Sequence, residues 1–244
     1  TVIMPVYNEG DYIYQNVVTV NDFLNQQDIE HQFLLVDDGS KDQSYKEMCR
    51  LADDRPCVSV IRLSRNFGKE AALCAALENA GGDAVLVMDS DLQHPPKYIP
   101  EMVRLWKEEG YDVVEGVKAD RGKESLGSKL AALFFYRAFR KTTGIDIGVA
   151  SDFKLLDRSV VEAWKQLPER NTFFRGLSAW VGYKRYAMPF EVAPRAGGET
   201  KWTFKSLTRL AVNSITAYTS APLFIVFWLG ILMGIAAVVM AVQT

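Results

Sequence analysis

The chain has 244 residues, 28 basic against 30 acidic side chains, and a hydrophobic content of 48%. That is enough apolar material for one sizeable α/β domain with a smaller appendage, and the near-neutral balance provides no basic field of the kind a nucleic-acid binder needs. Three cysteines, Cys49, Cys57 and Cys74, are too few and too unevenly spaced for a disulfide framework or a metal cage. They read as buried structural thiols of a protein from a reducing compartment.

The chain opens at Thr1 with no signal sequence and no initiating methionine, which reads as trimmed numbering. Thr1 to Val6 reads as a first strand, followed by Tyr7-Asn8-Glu9-Gly10 and a helix to about Gln27. His31 to Val36 is a second strand, and Asp37-Asp38-Gly39-Ser40 is a turn, with Ser40 or Asp42 capping a helix through Leu51. Val58 to Leu63 is a third strand, followed by Ser64 to Glu70 and a helix over Ala71 to Asn79. Ala84 to Met88 is a fourth, short and apolar as a buried strand should be. Strands alternating with helices predict parallel βαβ units in a doubly wound sheet, with ligands along the edge where the strands end.

At the end of the fourth strand stand Asp89-Ser90-Asp91-Leu92-Gln93-His94-Pro95-Pro96, and then a helical run from Tyr98 to Glu109. Asp89 and Asp91 would face the same side of an extended chain, so both could reach one hard cation, with Gln93 a further oxygen donor. A capped turn is the competing explanation, since aspartate, serine and proline are ordinary turn residues. No G-x-G-x-x-G follows the first strand and no phosphate-loop signature occurs, which argues against a dinucleotide fold or a nucleotide triphosphatase. Further on, Asp112 to Val117 and Phe153 to Leu156 read as strands, the latter led by Ser151-Asp152. Ser125 to Thr142 and Glu169 to Trp180 read as helices.

The C-terminal part differs in character. No charged residue occurs from Leu210 to Thr244, and Pro222 to Val242 is long enough to span a hydrocarbon core of about 30 Å. Before it, Lys201, Lys205 and Arg209 recur every fourth residue on one face of an amphipathic helix, as in a segment lying in a lipid interface. The positive-inside rule then places the N-terminal domain on the cytoplasmic face of the cell inner membrane. The division expected is a catalytic domain over 1–195, an acceptor loop and juxtamembrane helix over 196–220, and a transmembrane helix over 221–244.

Seven motifs occur in order: MPVYNEG (4–10), VDDGS (36–40), RNFGKE (65–70), MDSDLQHPP (88–96), SDFKLLDR (151–158), ERNTFFRGL (169–177) and RAGGETKW (195–202). Together with the apolar tail, the set resembles the polyprenyl-phosphate glycosyltransferases of glycosyltransferase family 2, which have the GT-A fold. The resemblance implies an inverting transfer of a hexose from a nucleotide sugar, UDP-glucose-like from the bacterial relatives, to a polyprenyl phosphate such as undecaprenyl phosphate. It also implies a divalent cation, Mg²⁺ or Mn²⁺, and is compatible with a homo-oligomer. Carried onto this sequence, Asp91 and Asp152 are the catalytic candidates. Pro5, Tyr7, Glu9, Asp38, Lys69, Asp89 and Ser90 fall on the nucleotide-sugar side, and Asp89, Asp91 and Gln93 on the metal. Fixed cations for the acceptor phosphate would come from Arg121, Lys129, Arg195 and Lys201. His94 and Gly10 depart from residues frequent among relatives, which often carry aspartate or asparagine at the first position and an acidic residue at the second. A processive polysaccharide synthase of the same fold would carry a Q-x-x-R-W segment, which is absent. A membrane-tethered nucleotide-sugar sensor would have no use for the intact Asp89, Asp91 and Asp152.

Overall fold

A computed structural model describes residues 1–119, 137, 150–167, 174, 176, 181–193 and 221–242. Its elements are β1 (Val2–Val6), α1 (Ile13–Gln26), β2 (Phe33–Asp37), α2 (Ser44–Asp54), β3 (Val58–Arg62) and α3 (Lys69–Asn79). There follow β4 (Ala84–Val87), a 3₁₀ turn at Pro96–Tyr98, α4 (Ile99–Lys107), β5 (Val113–Lys118), β6 (Ala150–Asp157), α5 (Arg158–Lys165), β7 (Arg185–Phe190) and α6 (Ala221–Val242). The seven strands form one sheet in the order β3-β2-β1-β4-β6-β5-β7.

Alternation along the strands sends side chains to two separate cores. Met4, Phe33, Leu35, Phe153 and Leu155 pack with Val17, Leu24, Met48, Met102 and Leu105 of α1, α2 and α4. Ile3, Leu34, Val36, Val85 and Val87 face the other way, onto Ala72, Leu73, Ala76 and Leu77 of α3 and Val160, Val161 and Trp164 of α5. The doubly wound expectation therefore holds for the first half of the chain, where β1 to β4 are parallel.

The sheet is mixed, however. β6 runs antiparallel to both β4 and β5, while β7 returns parallel to β5. This reversal positions the site. Val87 is paired with Lys154, so following the two chains outward brings Asp89, just past the end of β4, level with Asp152 near the start of β6. Had β6 been parallel, Asp152 would lie at the opposite edge.

Several sequence expectations need adjusting. α2 begins at Ser44 rather than after Ser40, with Gln43 at the N-cap position; Ser40 is engaged with the β1–α1 loop, while Asp42, one residue before the cap, accepts both Ser44 N and Gly10 N. β7 and α5 had no counterpart in the sequence reading. The cysteines are half-buried rather than buried, and none is in a disulfide. The helices expected over 125–142 and 169–180 lie mostly, and that over 201–217 wholly, outside the described residues.

By chain compactness, residues 1–125 and 147–201 form one unit, and 126–146 and 202–244 a second. Within the second, α6 is a 22-residue helix whose described side chains, among them Leu223, Phe227, Trp228 and Met233, are exposed. Its side chains are described at 223–224 and 226–241, and no stretch so described is long and apolar enough to cross a membrane.

Candidate active site

The ends of β1, β2 and β4 and the start of β6 deliver the predicted residues to one edge of the sheet. Pro5 lies in β1 opposite Val36, with Tyr7 and Glu9 half-buried just beyond. Their loop is tied to the next one by side chains. Ser40 Oγ accepts from Asn8 N at 2.9 Å, Ser44 Oγ from Glu9 N at 2.7 Å, and Asp42 Oδ2 from Gly10 N at 3.0 Å. Asp42 Oδ1 also accepts Ser44 Oγ at 2.5 Å and Ser44 N at 3.0 Å, and these bonds, with the one from Gly10 N, hold its carboxyl below the usual range despite its partial burial.

Asp37 and Asp38 are both buried. Asp37 accepts Ser40 N at 3.0 Å, and its other oxygen lies 3.2 Å from Nε of Arg62. Asp38, expected on the nucleotide, is bound to the 66–68 loop. Its oxygens accept Asn66 Nδ2 at 3.0 Å, Phe67 N at 2.8 Å and Gly68 N at 2.9 Å. Burial pushes its pKa up against the pull of the Phe67 and Gly68 N–H groups, and Asp37 adds to the push. The loops meet so closely at Gly39 (φ +67°) that a Cβ there would stand 2.4 Å from the carbonyl carbon of Arg65.

This anchored loop starts α3 and sets Lys69 in place. The Lys69 ammonium lies 2.5 Å from Asp89 Oδ1 and 2.6 Å from Asp152 Oδ2, joining the two carboxylates across the β4–β6 pair. Burial opposes the charge on Lys69, but Asp152 and Asp89 more than offset it and raise its pKa. The Asp89 carboxyl is held low despite its own burial, first of all by the charge on Lys69. Lys69 and Asp89 are therefore both charged at neutral pH.

His94 is the site residue that sequence reasoning passed over as a family variation. It is 4% exposed, and its Nδ1 accepts the Asp89 backbone N–H at 3.0 Å, which leaves the ring proton on Nε2. The ring stacks on Phe153 at 5.0 Å and meets Phe190 edge-on at 5.7 Å. Burial lowers its pKa, so it is neutral. Also unforeseen is the link from Glu70 to the ERNTFFRGL segment, where Glu70 Oε2 accepts Phe174 N at 2.8 Å.

The chain does not stay extended through Asp91. It turns at Ser90–Asp91, with Leu92 left-handed at φ 57°, and Asp91 Oδ1 accepts Gln93 N at 3.0 Å. Ser90 is buried, and its carbonyl accepts Asn16 Nδ2 at 2.8 Å. Among the described residues, no three His, Cys, Asp or Glu side chains are gathered to hold a metal. The donor set is instead two half-buried carboxylates and an amide on one loop. That suits Mg²⁺ or Mn²⁺, which take one or two carboxylates and complete their shells with substrate phosphate and water. Arg121, Lys129, Arg195 and Lys201 lie outside the described residues.

A mostly parallel sheet that gathers acidic loops at its strand ends, with one reversed strand adding a further carboxylate, defines a GT-A-type glycosyltransferase. Residues 1–164 match the family described as glycosyl transferase family 2, and the chain belongs to it. It is 39% identical over 234 residues to the uncharacterized glycosyltransferase YkcC of Bacillus subtilis, covering 96% of this chain and 72% of that one. To a prophage bactoprenol glucosyl transferase homolog of Escherichia coli it is 35% identical over 238 residues, covering 97% and 78%. Among solved structures, glucosyl-3-phosphoglycerate synthase of Mycobacterium tuberculosis, in complex with Mn²⁺, UDP-glucose and phosphoglyceric acid, shares the fold. Its TM-score is 0.59 at 19% identity, over 88% of this chain and 77% of that one.

Proposed function

We propose that this glycosyltransferase moves a hexose from a nucleotide sugar, UDP-glucose-like, to a polyprenyl phosphate, with inversion at the anomeric carbon. The observation that carries the reading is the convergence of Asp89 and Asp152 on Lys69 at the sheet edge, with Asp91 on the adjoining turn. The likeness to bactoprenol glucosyl transferases supports the lipid acceptor.

Asp89 and Asp91, with Gln93 beside them, would hold a divalent cation. When bound, the ion would supply Lewis-acid stabilisation of the charge that builds on the departing diphosphate. Pro5, Tyr7, Glu9 and Ser90 line the donor side, and Asp38 fixes the wall of that side rather than reaching into it. The acceptor is a phosphate monoester, whose second pKa of about 6 leaves it ionised at neutral pH. Asp152 therefore orients the attacking phosphate and need not be a strong base, so positioning supplies most of the rate.

Arg121, Lys129, Arg195 and Lys201 are proposed to hold the acceptor phosphate from the lipid side. Seating in a membrane is supported by the uncharged run Leu210 to Thr244 and by the exposed apolar side chains of α6. Its 22 residues measure about 33 Å along a helix, against about 30 Å of hydrocarbon. With Lys201, Lys205 and Arg209 before it, the catalytic domain would face the cytoplasm as a membrane-bound monomer or homo-oligomer.

The test is direct. The full chain in detergent, with Mn²⁺ or Mg²⁺, undecaprenyl phosphate and a panel of labelled nucleotide sugars, should yield one glycosylated lipid. Nucleotide binding with no lipid product from any donor, or transfer to soluble acceptors only, would overturn the reading.

A further inference from the structure

Lys69 holds a position that its local setting disfavours. It is the first residue of α3, where the helix dipole repels a cation, yet its side chain is only 29% exposed. It is fixed there by the loop that Asp38 organises, and the neighbouring Glu70 turns instead to the backbone of Phe174. What retains the ammonium is the pair of carboxylates, Asp89 Oδ1 at 2.5 Å and Asp152 Oδ2 at 2.6 Å.

The same Asp89 is a proposed ligand of the divalent cation. A cation bound there would stand about 2.1 Å from a carboxylate oxygen. With the ammonium 2.5 Å from Oδ1, the two positive charges would be nearly in contact, in a part of the protein where water screens them weakly. One must leave for the other to enter, and a donor's diphosphate offers the ammonium a new partner of the right charge.

We propose that Lys69 is a built-in counter-cation. It holds Asp89 against Asp152 while no donor is bound, and passes to the donor's diphosphate when the divalent cation takes Asp89. The inference rests on the metal-dependent transferase reading above. Its consequence is that metal and donor enter together, because metal arriving alone must take Asp89 from Lys69 and leave the ammonium with Asp152 in place of the pair of carboxylates.

The experiment measures free Mn²⁺ by electron paramagnetic resonance as it is titrated into the full chain in detergent, with and without UDP or GDP. Wild type should bind Mn²⁺ weakly alone and far better with the diphosphate. Lys69→Met should bind Mn²⁺ alone at least about tenfold tighter and lose a similar share of the gain from nucleotide. Lys69→Arg, which keeps the charge, should resemble wild type. A second measurement needs no variant. Acylation of the Lys69 amine, followed by mass spectrometry, should rise with saturating Mn²⁺ alone over chelator and fall again when UDP or GDP is added. Unchanged or weaker Mn²⁺ binding by Lys69→Met, or Lys69 labelling indifferent to Mn²⁺ in a wild type that still binds metal and nucleotide, overturns the counter-cation and leaves the functional reading intact. No Mn²⁺ binding by wild type with any nucleotide overturns both.

Discussion

The imidazole of His94 accepts the backbone N–H of Asp89 at 3.0 Å, so a ring buried between Phe153 and Phe190 fixes the carboxylate that meets Lys69. The hydrogen bond and the packing can be separated. His94→Phe preserves an aromatic ring against Phe153 and removes the ring nitrogens, the Nδ1 acceptor among them. The Asp89 N–H then loses its partner, at a cost of about 1–3 kcal/mol. Displacement of Asp89 by a fraction of an ångström should lower transfer at least about tenfold. Urea unfolding and lipid-product formation read the two effects, and undiminished transfer in a destabilised variant would remove His94 from the positioning of Asp89.

A substitution at Asp91 isolates charge from shape. Its Oδ1 accepts Gln93 N within the turn, and the amide oxygen of Asn can keep that bond. Asp91→Asn should therefore fold as wild type does, within about 0.5 kcal/mol, while transfer is abolished at any Mn²⁺ concentration. Chelation of divalent ions should reproduce the loss in wild type, reversibly. Near-normal turnover by the variant with saturating Mn²⁺ would contradict the assignment of Asp91 to the metal.

What the sequence made legible follows from the kind of signal each element carries. β1 to β4 are short apolar runs set between helical ones, and Asp38, Asp89 and Asp91 come soon after strand ends, so their gathering at one edge of the sheet could be read from order alone. The direction of β6 could not, because hydrophobic alternation is the same read either way, and only pairing with β4 brings Asp152 to Asp89. β7 was missed because Arg185–Phe190 is an edge strand that is half-exposed and contains Pro189, which weakens any strand signal. The partner of Lys69 was equally hidden. A lysine at a helix start normally reads as solvated, and its two carboxylates lie 20 and 83 residues away.

The pH dependence of stability can be tested at Asp157, at the opposite end of β6 from Asp152. Its carboxyl caps α5, accepting Ser159 N at 2.8 Å and Oγ at 2.6 Å, and it accepts Trp106 Nε1 at 2.8 Å from α4. Partial burial alone would raise its pKa, but these donors outweigh it and the net shift is downward. A carboxyl whose folded pKa lies below its unfolded one, about 3.9, contributes stability that is fully present above that unfolded value. The contribution is lost as pH falls through the folded value. Asp157→Ala should cost about 0.5–2 kcal/mol at pH 7, and the gap to wild type in urea unfolding should narrow below about pH 4. A gap that stays constant or widens on acidification would show that the cap acts without its charge.

Asp38, expected on the nucleotide, also has a structural role that the sequence did not show. The three bonds it accepts from Asn66, Phe67 and Gly68 make it the anchor of the loop that launches α3 and so aims Lys69. Removing it should free the loop and loosen the donor site together. Asp38→Ala should weaken nucleotide binding at least about tenfold, since two backbone N–H groups lose charge-assisted bonds of about 1.5–3 kcal/mol each. Amide exchange over residues 64–70 should quicken in the absence of any nucleotide. Asp38→Asn retains one acceptor oxygen and should fall between the two. The exchange measurement distinguishes an anchor from a donor ligand: weakened nucleotide binding with wild-type protection at Phe67 and Gly68 would mean that Asp38 touches the donor itself, and the anchoring role would be lost.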